Sequence, residues 1–356
     1  MSSPSPSTSS ISGQSVDLPP PSSNHAGLTA SHSNWASIKA ETLIRGQVLV
    51  ELDARTHLHE ACKRLMDAGV SSVPVFDPDT KTYVGMFDYA DFLTYFLIVL
   101  HRTSLLSSEE AQNLNDDDQL AKAVGQAAAQ QDMPVRNVSD ISHRNPFYSC
   151  IPQTTLGQVV DILSKGIHRL VIMDDGVKAR GILSQLTVVK YFTEHIFQLP
   201  SLEGIVSQSL EELHLGIDKK VVTISIEKLV LEALTTMSSN DVYSLAVVDK
   251  EGRLAGNFSL SDVKHLMKTD RRRLLNTTLR DFISRVKLEQ GIEAGQDTVL
   301  VFQVHAKHTL RLVMAKIVAT KAHRMWVTDE SGQVIGVVTL TDILRVISDD
   351  QAKREG

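Results

Sequence analysis

The stretch Gly336-Val337-Val338-Thr339-Leu340-Thr341-Asp342 decides the fold of this chain of 356 residues. A glycine closes a strand-like run, a hydroxyl follows three residues later, and a carboxylate comes three residues after that. The apolar spacing then changes to that of a helix over residues 343–347. The stretch therefore predicts a strand that passes directly into a helix, which we call a strand-to-helix joint.

The joint occurs four times along the chain. Residues 256–262, Gly-Asn-Phe-Ser-Leu-Ser-Asp, are the clearest second copy, and altered copies begin at Gly85 and Gly181. Each joint follows a strand-like run, a helix-like run and another strand-like run, so the predicted order is β-α-β-β-α. The sequence predicts an α/β repeat protein whose function lies where the copies face one another.

We predict a disordered tail followed by four repeats, because the first residues are rich in Ser and Pro and offer little to bury. The predicted segments are the tail at 1–34, repeat 1 at 35–102, an acidic and polar linker at 103–134, repeat 2 at 135–199, a linker at 200–219, repeat 3 at 220–268, a linker at 269–296 and repeat 4 at 297–350.

Composition argues against several classes of protein. The formal net charge of -6 is unlike that of a general nucleic-acid binder. Cys62 and Cys150 have neither disulfide-framework nor metal-ligand spacing, and the apolar run at 92–100 is too short to span a bilayer. No nucleotide-hydrolase, serine-hydrolase, metalloprotease or kinase signature is present. We expect a non-catalytic protein of the cytoplasm and nucleus, with no metal, nucleic-acid or membrane partner.

The four registered copies resemble the CBS domain, named after cystathionine β-synthase. The resemblance covers nearly all of residues 35–350 and implies two Bateman-type modules packed as a disc. It also implies an adenine nucleotide, AMP, ADP or ATP, as a regulatory or structural ligand. Residues 209–216, Ser-Leu-Glu-Glu-Leu-His-Leu-Gly, resemble the linker of the gamma regulatory subunit of AMP-activated protein kinase.

A narrower resemblance is to the fungal suppressor-of-dis (SDS/MOC) group. It is carried by Phe-Asp-Tyr-Ala-Asp at 87–91, Asn-Pro-Phe-Tyr at 145–148, and Gly-Ile-Leu-Ser-Gln at 181–185 with Lys-Tyr-Phe at 190–192. It implies a partner among type 2A Ser/Thr protein phosphatase catalytic subunits, which the protein would inhibit in stress response and cell-cycle progression. Two alternatives stay open: a gamma subunit of an AMP-activated or sucrose-nonfermenting protein kinase complex, and a ligand-free CBS scaffold.

The joints of repeats 3 and 4 carry the chemistry of a nucleotide site. A helix N-terminus suits phosphate, Ser259 and Thr339 add hydroxyls, and Asp262 and Asp342 can accept hydrogen bonds from ribose hydroxyls. The same residues also form S/T-x-x-D capping boxes, which need no ligand. We expect nucleotide binding at these two joints, where the cap and the ligand site can coexist.

Two His-Arg pairs occupy the same place in repeats 2 and 4, namely His168-Arg169 and His323-Arg324. The resemblance to kinase gamma subunits implies that both pairs face bound phosphate, which suits the forked guanidinium group of arginine. A solvated strand edge is the alternative for either pair.

The joints of repeats 1 and 2 depart from the pattern. Asp91 and Ser184 remain as candidate nucleotide contacts, but Asp88 replaces the hydroxyl of repeat 1 and Thr187 replaces the carboxylate of repeat 2. Because a second carboxylate repels phosphate, we expect an altered or empty site in repeat 1. We do not expect an ordinary nucleotide site in repeat 2.

Overall fold

A computed structural model of the chain describes residues 34–102, 133–217, 219–266, 272–294 and 302–355. Nearly all of the predicted tail and acidic linker lie outside these residues. The described strands are β1 (Leu52–Asp53), β2 (Ser72–Asp77), β3 (Thr82–Asp88), β4 (Ser149–Cys150), β5 (Arg169–Asp174), β6 (Lys178–Ser184), β7 (Thr223–Ser225), β8 (Ser244–Val248), β9 (Leu254–Ser259), β10 (Gln303–Val304), β11 (Arg324–Thr328) and β12 (Val334–Thr339).

Helices alternate with these strands in the predicted β-α-β-β-α order, which is confirmed four times. The described α-helices are α1 (Ala40–Leu43), α2 (Leu58–Asp67), α3 (Tyr89–Arg102), α4 (Leu156–Ser164), α5 (Gln185–His195), α6 (Pro200–Val206), α7 (Val230–Ser239), α8 (Val263–Leu266), α9 (Leu279–Ala294), α10 (Leu310–Thr320) and α11 (Leu340–Glu355). Within the described ranges, no helix has the length and apolarity needed to cross a membrane.

Each repeat builds a three-stranded sheet with the same register. The first strand runs parallel to the second, and the second is antiparallel to the third. Each joint glycine stands beside a register shift in its sheet; Gly336, for example, pairs with Val327 just before the shift. The spacing of glycine, hydroxyl and carboxylate therefore reflects one strand geometry used four times.

The four repeats pack in a closed ring. One apolar core is built from repeats 1 and 3, and a second from repeats 2 and 4. Between repeats 1 and 2, Met86 packs against Val171 and Met173 of the neighbouring sheet. Between repeats 3 and 4, Trp326 Nε1 donates to Asn257 Oδ1 over 3.1 Å. Each repeat thereby contacts two of the other three.

Two segments that precede the first strand of a repeat pack on other repeats: residues 35–44, ahead of β1, and α6, ahead of β7, both join the core of repeats 2 and 4. Trp35 is buried with Phe192 of repeat 2, their ring centroids 5.0 Å apart. In the same way, α6 joins the core of repeat 4, although residues 200–219 read as a linker in the sequence. The sequence of an exposed linker can resemble that of a segment that packs on another repeat. Only the tertiary packing therefore distinguishes the two.

Gly216 and Gly336 permit one close backbone crossing. The segment before repeat 3 crosses β12, where Val337 N donates to Gly216 O over 2.9 Å. A Cβ on Gly336 would lie 1.8 Å from Gly216 O, and a Cβ on Gly216 would lie 2.3 Å from Val338 Cγ2. The crossing brings the next residues of the segment, including Lys219, over the joint of repeat 4.

Candidate functional site

The joint of repeat 4 is a complete capping box. Thr339 donates from N and from Oγ1 to Asp342 Oδ2, over 2.9 and 2.7 Å, and Asp342 N donates to Thr339 Oγ1 over 3.2 Å. Asp342 is buried, and its other oxygen, Oδ1, accepts from Lys219 Nζ. The carboxylate predicted to accept ribose hydroxyls is therefore paired with a lysine of the segment before repeat 3.

The joint of repeat 3 repeats this arrangement. Ser259 donates from N and from Oγ to Asp262 Oδ2, over 2.7 and 2.8 Å. Burial raises the pKa of Asp262 above its usual value, while the hydrogen bonds from Ser259 act in the opposite direction. The predicted caps are thus present in both repeats, and nucleotide binding by the same residues stays a prediction.

In repeat 1, two carboxylates replace the hydroxyl-carboxylate pair. Asp88 Oδ1 caps α3 by accepting from Ala90 N (2.7 Å) and Asp91 N (3.1 Å), and Asp91 Oδ2 accepts from Asp88 N (3.1 Å). Ser142 N donates to Asp91 Oδ1 over 3.0 Å. Burial, and then the charge of Asp88, raise the pKa of Asp91 to about 7. Both oxygens of Asp91 hold backbone donors, which makes this joint the least like a ribose site.

Asp88 also links repeat 1 to repeat 2. Asn145 Nδ2 donates to Asp88 Oδ2 over 2.6 Å, and His168 Nδ1 donates to Asn145 Oδ1, also over 2.6 Å. Arg169 Nη1 lies 3.7 Å from Asp88 Oδ2. The second carboxylate of repeat 1 therefore faces a basic residue of repeat 2.

The joint of repeat 2 contains two hydroxyls. Ser184 Oγ and Thr187 Oγ1 are 2.9 Å apart, and Thr187 N donates to Ser184 Oγ over 3.1 Å. The buried Gln185 donates from Nε2 to Thr341 Oγ1 over 2.9 Å, which connects this joint to that of repeat 4. Ser184 is thus part of a helix cap, and its predicted nucleotide contact is untested.

The two His-Arg pairs open equivalent strands. Arg169 lies opposite Ser184 in its sheet, and Arg324 lies opposite Thr339. Burial, followed by the charges of the two arginines, lowers the pKa of His168 and of His323 to about 4, so both imidazoles are neutral at pH 7.

The charges of Arg169 and Arg324 each lower the pKa of both histidines. The pair of repeat 2 and the pair of repeat 4 therefore lie close together. Burial lowers the pKa of Arg324 to about 10, which leaves it charged at pH 7. His323 is exposed and Arg324 is half-buried, so both side chains reach solvent-accessible surface. The arginines therefore supply positive charge there, and the histidines supply neutral polar groups.

Sequence reasoning missed several residues of this region. Arg144 and Lys165 line a cavity of about 260 Å³ together with His168 and Arg169. Lys219 lies 123 positions before Asp342, and no local pattern connects them. Asn145 is the one that sequence could have indicated, because it belongs to the Asn-Pro-Phe-Tyr motif. Within the described ranges, no His, Cys, Asp and Glu side chains form a group of three suited to a metal ion.

These observations define a protein of four tandem β-α-β-β-α repeats, in which the joints of repeats 2 and 4 are hydrogen-bonded to each other. The family model described as the CBS domain matches residues 48–98, 138–194, 211–269 and 301–349. The chain belongs to the CBS domain family. The domains of this family are regulatory and typically non-catalytic.

Curated relatives share most of this chain. Protein SDS23 of Debaryomyces hansenii is 34% identical over 312 residues, which cover 85% of this chain and 56% of that protein. Protein SDS23 of Kluyveromyces lactis is 31% identical, over 90% of this chain and 64% of the relative. Protein SDS24 of Saccharomyces cerevisiae is 32% identical, over 82% of this chain and 55% of the relative. The chain thus spans about three fifths of the length of these relatives.

One solved structure shows the same fold. A protein of Methanocaldococcus jannaschii, described as a proposed archaeal homologue of g-AMPK, superposes with a TM-score of 0.63. The match covers 87% of this chain and all of that chain at 15% identity. At this identity, the similarity concerns the fold alone.

Proposed function

We propose that this chain is a non-catalytic, adenine-nucleotide-binding regulator of Ser/Thr protein phosphorylation. Its action would be inhibition of a type 2A protein phosphatase in stress response and cell-cycle progression, as the resemblance to the SDS/MOC group implies. The SDS23 and SDS24 names of its relatives support this proposal. We expect it in the cytoplasm and nucleus.

The joint of repeat 4 is the observation that carries nucleotide binding. Asp342 is aligned by its bonds from Thr339, and Arg324 lies across the sheet from Thr339. Asp342 Oδ1, which pairs with Lys219, can accept from a ribose diol once that lysine is displaced, and the half-buried guanidinium of Arg324 suits phosphate. Ser259 and Asp262 form a second joint of the same geometry.

The regulatory mechanism would be a shift in population. A ligand that contacts more than one repeat stabilises the packing in which those contacts form, and a partner protein recognises that packing. The bond from Gln185 to Thr341 is one connection that can transmit such a change, because it joins repeats 2 and 4 at their joints.

Calorimetry with AMP, ADP and ATP tests the nucleotide. We expect wild-type protein to bind at least one of them, and Asp342→Ala to weaken binding at least tenfold. Asp342→Asn separates charge from capping, since one amide oxygen can still accept from Thr339. Asp349→Ala is the matched control, because Asp349 is exposed on the same helix, α11. Absence of binding to wild type would leave the ligand-free scaffold as the better description.

A second candidate is a gamma subunit of an AMP-activated or sucrose-nonfermenting kinase complex, which the fold of the archaeal g-AMPK homologue favours. Affinity purification of the full chain followed by mass spectrometry separates the two candidates. A phosphatase catalytic subunit among the bound proteins supports the first, and kinase catalytic and beta subunits support the second. Purified phosphatase assayed with and without the chain then tests inhibition directly.

A further inference from the structure

The cavity in repeat 2 has a basic wall. It is lined by residues 143–146, Tyr148 and residues 165–169, and none of these lining residues is acidic. A recess bordered by one sign of charge raises the local concentration of ions of the opposite sign. The basic lining residues are His143, Arg144, Lys165, His168 and Arg169.

Two arginines and a lysine give this wall permanent positive charge, whereas burial lowers the pKa of His168 to about 4 and leaves it neutral at pH 7. Arg169 faces the buried Asp88, whose oxygen Oδ2 lies 3.7 Å from Nη1. Arg144 is held by repeat 3, where its Nη1 donates to Val242 O over 3.2 Å and its guanidinium lies 5.3 Å from the Tyr243 ring centroid. Two guanidinium groups are thus fixed at the cavity before any ligand arrives.

The carboxylates that pair with Arg144 and Lys165 are exchangeable. Arg144 Nη2 lies 2.8 Å from Asp241 Oδ1, and the Asp241 side chain is 84% exposed. Lys165 Nζ lies 2.8 Å from Asp161 Oδ2, in a pair that is more than half exposed on both sides. The Arg144 side chain is only 13% exposed, but Asp241 and both members of the Lys165–Asp161 pair are exposed, so a ligand anion can replace these carboxylates at little cost. The ion pair with Asp241 shows that the Arg144 guanidinium can bind a carboxylate oxygen in its present position.

The joint of repeat 2 has no carboxylate with which to hold a ribose. Thr187 stands where repeat 4 has Asp342, and its hydroxyl is 2.9 Å from that of Ser184. The cavity volume of about 260 Å³ is below the ~300–1,000 Å³ of pockets for drug-sized ligands. Charge, size and the missing carboxylate all favour a compact anion over a whole nucleotide.

We propose that the cavity of repeat 2 binds a compact phosphate anion through Arg144 and Lys165, without a ribose contact and in competition with Asp241. This site is additional to the nucleotide sites proposed for repeats 3 and 4. Because Asp241 belongs to repeat 3, binding exchanges a contact between two repeats for a contact with the ligand. Phosphate would thereby loosen one junction of the ring.

Pyrophosphate is the probe, titrated calorimetrically into the full chain at low ionic strength, where exposed charges are least screened. We expect saturable binding that Arg144→Gln and Lys165→Gln each weaken at least tenfold. Asp241→Asn removes the competing carboxylate and should strengthen binding severalfold. The control is Lys190→Gln, which removes a lysine paired with Glu194 outside the cavity lining and should change nothing. Lys165 is exposed, so its variant tests the cavity even if the Arg144 variant folds poorly.

Two further titrations separate this site from the proposed function. Asp342→Ala should leave pyrophosphate binding intact whether or not the chain binds AMP. Thr187→Asp restores a carboxylate at the joint and should reverse the preference from pyrophosphate to ADP. Absence of pyrophosphate binding, equal weakening by Lys190→Gln, or Arg144-dependent binding of ADP but not of pyrophosphate would each overturn the proposal.

Discussion

Replacing Gly336 by alanine places a methyl carbon 1.8 Å from Gly216 O. Ordinary contacts of a Cβ begin near 3.4 Å, so the segment carrying Gly216 must move by roughly 1.5 Å. The obstacle is backbone, which a side-chain rotation cannot relieve. The hydrogen bond from Val337 N to Gly216 O, 2.9 Å long, should break as a result.

The expected cost follows from these two effects. Forcing an extra carbon into packed structure costs about 1–3 kcal/mol. Leaving a buried backbone donor without its acceptor costs about 1–3 kcal/mol. Movement of the segment relieves the overpacking and breaks the hydrogen bond at the same time, so the two costs do not add in full. We therefore expect the free energy of unfolding to fall by about 3 kcal/mol. With an unfolding entropy of about 2.1 cal/mol/K per residue, a chain of 356 residues should then melt about 4 °C lower.

Thermal melts followed by circular dichroism measure this effect. The matched control is Gly256→Ala at the same joint position of repeat 3, where the new Cβ would first meet the end of the Ile283 side chain, Cδ1, at 3.0 Å. That atom can move, so we expect this variant to melt within about 2 °C of wild type. Equal melting temperatures for the two variants would refute the close crossing of Gly216 and Gly336.

Two other perturbations concern charge at the joints. Lys219→Met should strengthen AMP binding about fivefold, because it frees Asp342 from a partly exposed ion pair worth about 1 kcal/mol; weaker binding in calorimetry would instead make Lys219 a phosphate ligand. Burial and the charge of Asp88 raise the pKa of Asp91 from 3.8 to about 7, so the folded state keeps a proton that the unfolded chain releases near pH 4. The stabilisation from that proton is complete below pH 4 and lost as the pH rises to 7, up to about 4 kcal/mol. In urea unfolding, the free energy of unfolding of Asp91→Asn should therefore rise relative to that of wild type between pH 4 and pH 8. A difference between the two proteins that does not vary with pH would contradict a buried, protonated carboxyl group at Asp91.

The sequence by itself determined the repeat and its joints. Glycine, hydroxyl and carboxylate lie within seven residues, and the helices begin directly after Asp88, Ser184 and Thr339, with a 3-10 turn directly after Ser259. These features are predictable because the hydrogen bonds of a capping box connect residues three apart, so the pattern and the structure are both local. Family resemblance added the pairing of repeats, which the described contacts between sheets confirm.

Only the tertiary structure decided which joints face each other and what surrounds them. Cores shared by repeats 1 and 3 and by repeats 2 and 4 arise from apolar surfaces whose sequence patterns are alike, so local patterns cannot select the partner. Lys219 pairs with Asp342, which lies 123 positions later in the chain. Arg144 pairs with Asp241, which lies roughly 100 positions later. Such contacts depend on the closure of the whole ring, because a charged side chain finds its partner only after the backbone carrying each has been placed by packing.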